Sequence, residues 1–415
     1  MSDGKILVVG TTADYVEILR KSAPGKCLFV TAHPIRKQAF EPTPSEGEEI
    51  LCDTDPKAHS IVTLQIKRHL RNFNITLDGI ACFDCESMDL TARIAQTFGL
   101  DYPTPESILN CRDKSRTKEV WRASGVPCPR FQSVSTEDDV RAFFKELESP
   151  CVLKPVDGSG SERVFKCRTE DECVKAFAAI RENREAQRVV MEEFVDGTEY
   201  SCDFIVDKES VRLIRMTRKI HAPGSVFGTI MAYEMIDFLS ENISRDYFMG
   251  ILGKAARSLG IERSLCMLDF IVSPDGDISL LEIAPRPGGD CLPWLIQRSM
   301  GLDILRMTLS VAEPGHFDFK KPPMVSPCVG LRIHARQAGR LKNIDTARVS
   351  QDPRVTDVYL KYRMGHKITL PPQDYDSWNL GHIIFKPAGL VSRFDQCREL
   401  LSLVKIDIDH DRPRS

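Results

Sequence analysis

The stretch CMLDFIVSPDGDISLLEIAPRPGGD, from Cys266 to Asp290, contains two runs of alternating apolar residues separated by the turn signal SPDGD. It predicts a β-hairpin in which Ser273 pairs with Ile278 and, counting outward, Asp269 lies opposite Glu282. Two facing carboxylates repel each other across an antiparallel pair. A divalent cation between them removes the conflict, and oxygen ligands of this kind suit Mg²⁺ or Mn²⁺. The hairpin therefore indicates a metal site.

The same strand face continues through Ala284 to Arg286, which places a guanidinium group near the predicted metal. A metal ion beside an arginine stabilises a phosphoryl group during transfer. The alternative is a hairpin whose open face carries polar residues only because it meets water. The hairpin alone does not decide between the two, so the rest of the chain has to supply a nucleotide site.

Size and composition restrict the class of protein. A chain of 415 residues predicts two or three domains, and 42% hydrophobic with 28% charged residues is typical of a globular protein. A net charge of -3 argues against nucleic acid as a partner. No apolar run approaches the roughly 20 residues that span a bilayer, so no membrane partner is expected. Because the N-terminus lacks a signal-peptide pattern, the fourteen cysteines predict reduced thiols in a cytoplasmic protein.

Cys82 and Cys85 form a CxxC spacing that could bind zinc or serve redox chemistry. A structural zinc site needs a second pair of ligands, and the sequence has no second CxxC. The spacing therefore favours a structural role for both residues.

Strand and helix patterns divide the chain into three parts. In residues 1–110, the apolar strands KILVVG, CLFVTA and LDGIACF alternate with helical segments, which predicts a Rossmann-like parallel α/β layer without the GxGxxG fingerprint. Residues 111–315 mix helices with strands and contain the predicted nucleotide and metal site. Residues 316–415 read mostly as short strands (VGLRIHAR, VTDVYLKY, HKITL and HIIFKP), a β-rich C-terminal domain. The predicted fold class is α/β, with α+β character overall.

A candidate phosphate site follows the strand CVLKPV, which carries Lys154. The loop DGSGS comes directly after it, and its members are Asp157, Gly158, Ser159, Gly160 and Ser161. The P-loop signature is missing, but backbone N–H groups of a glycine hairpin can still point at an anion, and lysine supplies a positive charge. An ordinary turn between two strands is the alternative.

Two further segments point to a nucleotide. Lys114 begins a helix in CRDKSRTK, and the strand residues Glu193, Phe194 and Val195 precede Glu199. The backbone of a short strand edge can hydrogen-bond adenine, and a nearby carboxylate can hold ribose hydroxyls.

In this order the motifs strongly resemble those of the ATP-grasp superfamily: a lysine, VLKP with a glycine loop, an EE(F/Y)(V/I)xGxE strand and a LEINPR hairpin. All four occur between Arg112 and Arg306. The resemblance implies an ATP-grasp fold with an N-terminal Rossmann-like pre-ATP-grasp domain and a β-rich C-terminal domain. It also implies ATP and Mg²⁺ (or Mn²⁺) as cofactors.

The resemblance also implies the roles of individual residues. Lys114 and Lys154 would contact the α- and β-phosphates, with the loop 157–161 closing over the β- and γ-phosphates. The adenine and ribose would be bound by Glu193, Phe194, Val195 and Glu199.

The remaining roles concern the metal and the acceptor. Asp269 and Glu282 would bind the metal, and Arg286 and Lys154 would be catalytic. The acceptor pocket would be lined by Arg286, Gly288, Gly289 and Asp290.

One departure from the family pattern concerns Ala284. The pattern LEINPR has asparagine there, a ligand of a second metal ion, and alanine has no side-chain oxygen. A weak second ion, or a catalytically impaired member, follows as an expectation.

The function that the resemblance implies is that of a carboxylate–amine ligase, which forms an acyl phosphate and then an amide. RPGGD and the β-rich C-terminal part look most like the L-amino acid ligase branch, near the large chain of carbamoyl-phosphate synthase. The expected partners are a small carboxylate and an amine, and a homodimer is compatible with the sequence.

The segment HAPGSVFG is a candidate lid, with Lys219 and His221 reaching the substrate; a plain surface loop is the alternative. Two other functions stay open. One is a carboxylase that activates bicarbonate, although no biotinyl domain or RDCSxQRR-like segment is found. The other is a non-catalytic nucleotide-binding protein, to which Ala284 points.

Overall fold

The structure is a computed structural model. It describes residues 4–39, 43–158, 160, 162–182, 187–208, 210–222, 224, 226–239, 242–315, 317, 325–371, 373–374 and 376–409. The strands within these ranges form four sheets. None of the helices in the described part is long and apolar enough to cross a membrane.

The N-terminal part is the predicted parallel α/β layer. Its strands pair in the order β3-β2-β1-β4, and every pairing is parallel. The strands are β1 (Lys5–Val9), β2 (Cys27–Ala32), β3 (Glu49–Cys52) and β4 (Leu77–Ala81). The helices are α1 (Ala13–Ser22), α2 (His33–Gln38), α3 (His59–Phe73), α4 (Met88–Phe98) and α5 (Pro105–Arg112). Strands β1, β2 and β4 were predicted from their apolar runs; β3, with only four residues, was not.

A small antiparallel sheet follows, and it carries the predicted phosphate segment. Helix α6 (Lys114–Ala123) leads into it, and the strand order is β5-β8-β6-β7. The strands are β5 (Phe131–Val134), β6 (Cys151–Pro155), β7 (Phe165–Cys167) and β8 (Val189–Glu193). Two helices, α7 (Glu137–Leu147) and α8 (Glu170–Arg181), pack against each other and against this sheet. The apolar side chains that they share with β6 and β8 form a separate core.

An eight-stranded antiparallel sheet forms the centre of the molecule, in the order β13-β12-β9-β10-β11-β14-β18-β16. Its strands are β9 (Thr198–Asp207), β10 (Ser210–His221), β11 (Ile230–Ile236), β12 (Arg263–Val272), β13 (Ile278–Ala284), β14 (Val329–His334), β16 (Val355–Leu360) and β18 (Asn379–Phe385). The helices between these strands are α9 (Arg245–Ser258), α10 (Leu292–Met300) and α11 (Ile304–Ala312). The sheet crosses the domain boundary predicted near residue 315, because β14, β16 and β18 extend the sheet that holds the hairpin. The division into three domains stays a prediction.

The end of the chain adds a smaller sheet in the order β17-β15-β19. Its strands are β15 (Gly339–Asp345), β17 (Lys367–Ile368) and β19 (Lys405–Asp409), with helices α12 (Ala347–Ser350) and α13 (Arg393–Ser402). Apolar side chains of this sheet, of β14 and of β18 pack into one cluster, so the C-terminal strands form a continuous core with the central sheet.

The hairpin β12–β13 confirms the most important predicted pairing, because Asp269 lies opposite Glu282. The register predicted at its turn is wrong: Val272, rather than Ser273, pairs with Ile278. The register shifts between Asp269 and Phe270, so β13 contains one extra residue at Leu281. A β-bulge of this kind leaves one residue unpaired and bends the strand. It restores the facing carboxylates despite the longer turn.

Candidate functional site

A cavity of about 720 Å³ lies between the N-terminal layer, the small sheet and the central sheet. This volume is in the range of small-molecule sites. Most of the residues predicted from the sequence line it, namely Lys114, Lys154, Gly158, Gly160, Glu193, Phe194, Val195, Glu199, Asp269, Glu282, Arg286, Gly289 and Asp290. Residues that are far apart in the sequence therefore meet at one site.

Two predicted residues, Asp157 and Gly288, do not line the cavity. The Asp157 Oδ1 atom accepts a hydrogen bond from Gln187 Nε2 at 2.7 Å. The Gly288 backbone N–H donates to Asp203 Oδ1 at 2.8 Å, which holds the RPGGD segment against the central sheet. Ser159 and Ser161 lie outside the described residues.

The floor of the cavity carries the carboxylates of Asp269, Glu282 and Glu199. Lys219 bridges two of them: its Nζ atom lies 2.7 Å from Asp269 Oδ2 and 2.5 Å from Glu199 Oε1. His221 Nε2 lies 3.0 Å from the other oxygen of Glu199. Lys219 and His221 belong to strand β10, so both lie on the floor, and His221 is also the first residue of the candidate lid segment HAPGSVFG. Pro223 and Ser225 of that segment are outside the described residues.

The three carboxylates differ in their pKa. Burial raises the pKa of Asp269 to about 6, although Lys219 acts in the opposite direction. Burial alone would raise the pKa of Glu282, but Lys114 and Lys154 outweigh it and hold this pKa below its usual value. Glu199 shows the same balance, with burial opposed by Lys219 and His221, and its pKa falls to about 2. Glu282 and Glu199 are therefore anionic at neutral pH.

Asp269 and Glu282 fit one magnesium ion. Asp269 Oδ1 is buried and has no hydrogen-bond partner in the described part of the chain, which a buried polar atom rarely tolerates. No group of three or more His, Cys, Asp or Glu residues that could hold a metal occurs in the described residues. The protein would thus supply two carboxylates and the nucleotide phosphates would supply the rest, a common arrangement for Mg²⁺.

Lys114 is placed by the start of α6. The helix begins with Asp113 as N-cap, whose carboxylate accepts from the backbone N–H groups of Ser115 and Arg116. Lys114 Nζ donates to the Gly158 carbonyl at 2.5 Å and lies 3.9 Å from Glu282 Oε2. One lysine therefore connects the predicted phosphate loop to the hairpin that carries Asp269 and Glu282.

Lys154 belongs to a buried network that was not predicted from the sequence. Its Nζ atom lies 2.9 Å from Glu192 Oε1, and Lys118 Nζ lies 3.2 Å from the same oxygen. Lys118 Nζ also donates to the carbonyl of Leu281 at 2.9 Å, at the bulge beside Glu282. Two buried lysines thus share one buried carboxylate and link the small sheet to the hairpin.

The segment predicted to bind adenine lies at the end of β8. The Glu193 carboxylate accepts from the Arg130 backbone N–H at 2.8 Å and pairs with its guanidinium at 2.7 Å. Lys166 Nζ lies 3.2 Å from the centre of the Phe194 ring, a cation–π contact. The Phe227 ring lies 6.3 Å away from that of Phe194. Phe227 therefore brings the candidate lid close to this end of the cavity.

Arg286 lies between the hairpin β12–β13 and the N-terminal layer. Its Nε–H donates to Cys85 Sγ at 2.9 Å, and its Nη1 donates to the Pro287 carbonyl at 2.6 Å. Cys85 also lines the cavity, whereas Cys82 is buried and its Sγ–H donates to the Asp84 carbonyl at 3.2 Å. The CxxC spacing therefore places one thiol in contact with the predicted catalytic arginine.

Beyond Arg286, Asp290 is held in an uncommon backbone conformation, with φ at +58°. Its carboxylate is ion-paired with Arg332 and accepts from Asn379 Nδ2 at 3.1 Å. Burial alone would raise the pKa of Asp290, but the Arg332 guanidinium outweighs it and holds this pKa well below its usual range. Arg332 Nη2 also donates to the hydroxyl of Tyr233 at 3.3 Å. The predicted acceptor loop is thus attached to strands β11, β14 and β18.

Several residues that line the cavity were not predicted from the sequence. Glu192 stands beside Glu193 in the quoted EE motif, and strand alternation was the signal that one of the two faces inward. Arg332 and Asn379 come from strands with no local motif, and only the pairing of β14 with β18 brings them to Asp290.

The comparisons with known proteins agree with this geometry. Residues 147–293 match the model of the ATP-grasp domain family. A D-alanine–D-alanine ligase of Acidovorax ebreus is 26% identical over 330 residues, covering 76% of this chain and 92% of that protein. An uncharacterised protein y4rH of Sinorhizobium fredii is 28% identical over 66% of this chain. The match spans 57% of the length of that relative.

Solved structures resemble nearly the whole chain. The L-amino acid ligase from Bacillus licheniformis superposes with a TM-score of 0.79 at 20% identity, covering 98% of this chain and 99% of that one. The biotin carboxylase domain of the Hydrogenobacter thermophilus 2-oxoglutarate carboxylase, solved with MgADP and bicarbonate, has a TM-score of 0.71 at 17% identity, covering 97% and 91%.

Residues 147–293 match the ATP-grasp domain family, and nearly the whole chain shares its fold with the L-amino acid ligase and with the biotin carboxylase domain. The predicted fold class and the predicted resemblance are confirmed.

Proposed function

We propose that this chain is an ATP-dependent ligase that activates a carboxylate as an acyl phosphate and joins it to an amine. In the first step a carboxylate oxygen attacks the terminal phosphorus of ATP, and the bond to the bridging oxygen breaks to release ADP. In the second step the amine attacks the acyl carbon, phosphate leaves with the electron pair of the carbon–oxygen bond, and the amine loses a proton. The products are an amide, ADP and phosphate.

The observation that carries the proposal is the position of the Asp269–Glu282 pair. It lies on the floor of one cavity, which Lys114 and Lys154 line on one side and Arg286 on the other. Such a site supplies positive charge and fixed positions, which is most of what phosphoryl transfer requires. Bound Mg²⁺ would neutralise phosphate charge, held by Asp269 and Glu282.

In this proposal the other predicted residues bind the nucleotide and hold it in place. Lys114 and Lys154 bind the phosphates, and the loop around Gly158 and Gly160 covers them. The backbone at Glu193 and Val195, with the Phe194 ring, accommodates adenine, while Glu199 binds the ribose.

The acceptor side is served by different residues. Arg286 stabilises the transferred phosphoryl group and the acyl phosphate, and Gly288, Gly289 and Asp290 form the edge of the acceptor pocket. Val226 and Phe227 of the candidate lid are exposed apolar side chains that line the cavity. Closing them over the site would keep water from the acyl phosphate.

The same proposal covers the size of the substrates, the location of the protein and its domain division. The substrates are small molecules, because a cavity of about 720 Å³ has the size of a small-molecule site. We further propose a cytoplasmic protein with the three-domain division 1–110, 111–315 and 316–415. A homodimer is compatible with it.

The test is ATP-dependent phosphate release with pooled amino acids and Mg²⁺, followed by mass spectrometry for amide products. We expect stoichiometric ADP, phosphate and amide. Asp275→Asn, in the exposed turn of the same hairpin, is the matched control and should retain full activity.

Other results would reject the ligase. Phosphate release with bicarbonate alone would indicate a carboxylase. Tight ATP binding without release on a broad panel of carboxylates and amines would indicate a non-catalytic nucleotide-binding protein.

A further inference from the structure

We propose that the cavity beyond Arg286 selects an amino acid with a cationic side chain as one of the two substrates. This part of the cavity, the distal compartment, is lined by Asp14, Trp294, Tyr359, Asn379 and His382. This inference rests on the proposed ligase function and adds the substrate class.

The distal compartment has an aromatic wall. The ring of Trp294 lies 4.9 Å from that of Tyr359 and 4.7 Å from that of His382, and the last two are 5.2 Å apart in a stacked arrangement. Tyr359 and His382 are register partners on β16 and β18, so the backbone fixes this wall. Aromatic faces carry negative charge density and attract ammonium and guanidinium groups.

The wall also contains buried polar atoms that lack a partner. Asn379 is 9% exposed and His382 is 2% exposed. Among the described residues, neither Asn379 Oδ1 nor His382 Nε2 has a hydrogen-bond partner. The Asn379 amide is oriented by its Nδ2–H bond to Asp290, so the free atom is an acceptor. Buried polar atoms are normally paired, and a free acceptor indicates a ligand that brings N–H donors.

Asp14 supplies the negative charge. It stands in the first turn of α1, and among the described residues it forms no ion pair. The nearby cation Lys361 is engaged elsewhere: its Nζ atom donates to Asp376 Oδ1 at 2.5 Å. Burial is the main cause that raises the pKa of Tyr359, and the nearby carboxylate of Asp14 raises it further. Burial raises the pKa of Asp14, and the Lys361 ammonium opposes this from a distance without forming an ion pair with it among the described residues. A cation bound against the aromatic wall would therefore stabilise the Asp14 carboxylate.

The neighbouring charged groups do not reverse this balance. Arg332 is neutralised by Asp290, and burial lowers the pKa of His382 to about 4, so that its ring is neutral at neutral pH. A neutral ring does not repel a bound cation. A lysine- or arginine-type side chain would offer N–H donors and positive charge to Asp14 and Asn379, and its methylene groups would pack on Trp294.

The experiment compares substrates that differ in charge but hardly in shape: lysine with norleucine, and arginine with citrulline. Steady-state phosphate release gives kcat/KM for each, with a neutral amino acid as the second substrate. We expect the cationic member of each pair to be favoured at least about tenfold, the effect of one charge-assisted contact. Asp14→Asn should lower this preference about tenfold.

Glu17→Gln is the matched control. Glu17 lies one turn further along the same helix, is paired with Lys21 at 2.6 Å, and does not line the cavity. This variant should keep the wild-type preference. Thermal unfolding of both variants, and their ADP affinity, show whether each is folded.

Two results would overturn the inference: equal kcat/KM for the charged and neutral members in the wild type, or an unchanged preference in folded Asp14→Asn. Either would leave the ligase intact. Failure of every carboxylate and amine to stimulate phosphate release would instead reject the proposed function itself.

Discussion

Lys118 and Glu192 form an ion pair that is almost entirely removed from water: Nζ and Oε1 are 3.2 Å apart, with side-chain exposures of 0% and 3%. Burial alone would raise the pKa of Glu192, but Lys118 and Lys154 together hold it below its usual value. The same ammonium of Lys118 holds the carbonyl of Leu281. The pair therefore joins the end of the cavity proposed to bind adenine to the strand that carries Glu282.

Replacing Lys118 with methionine should destabilise the protein. The change leaves Glu192 with Lys154 as its remaining partner and the Leu281 carbonyl without its donor, and breaking a buried pair costs about 3 kcal/mol. Urea unfolding measures the loss. Lys175→Met, on the exposed side of α8, is the control and should differ from wild type by less than about 0.5 kcal/mol. A loss of that small size in Lys118→Met would contradict the structural role.

Glu282→Gln should reduce turnover at least about 100-fold, because it removes one of the two carboxylates proposed to hold Mg²⁺. Titration with Mn²⁺ in the presence of ADP, followed by electron paramagnetic resonance, should show weaker metal binding. The exposed turn residue Asp275 again provides the control, Asp275→Asn. Turnover near the wild-type rate at limiting magnesium would exclude Glu282 as a metal ligand.

Acid should destabilise the protein through its buried histidines. Burial lowers the pKa of His382 to about 4 and that of His334 to about 3, whereas an unfolded histidine has a pKa near 6.5. The unfolded state therefore binds more protons than the folded state between these pKa values. The contribution of the neutral, buried histidines to the free energy of unfolding is complete above about pH 6.5 and is lost as the pH falls toward 4.

His382→Phe should flatten this dependence by up to about 1.4 kcal/mol per pH unit. Denaturant unfolding from pH 4.5 to 8 measures it. The exposed His33 is the control: His33→Gln should leave the profile as in wild type. An unchanged slope in His382→Phe would show that the imidazole does not titrate in this way.

Thiol reagents should distinguish the cysteines by position. Cys85 and Cys128 are partly exposed, and the other cysteines are buried. We expect N-ethylmaleimide to label these two first, as peptide mapping would show. Because Cys85 lines the cavity beside Arg286 and Cys128 does not line it, ATP with substrate should slow labelling of Cys85 alone. Equal protection of both residues would contradict this placement.

Local pattern predicted the parts of the site that depend on strand alternation. The pairing of Asp269 with Glu282 followed from two alternating runs around a turn, and the structure confirms it. The turn register was wrong because a bulge at Leu281 adds a residue, and nothing in an alternating sequence marks where a strand takes an extra residue.

Glu192 and Glu193 show a second limit. Adjacent strand residues face opposite sides, and the sequence does not say which side is the interior. The structure buries Glu192 between two lysines and leaves the Glu193 carboxylate to Arg130. Arg332 and Asn379 could not be predicted at all, because they reach Asp290 only through long-range strand pairing.

The central sheet runs without a break from the hairpin β12–β13 to β18 and β16. The carboxylates of Asp269 and Glu282 and the rings of Tyr359 and His382 thus belong to two regions of one hydrogen-bonded layer, joined by strands and not by a hinge. Under the proposed function, substitutions on β16 or β18 would change which substrate is accepted, while the phosphate chemistry would stay on β12 and β13. Substrate choice and energy source would then be inherited on separate strands of the same sheet, and each could drift on its own.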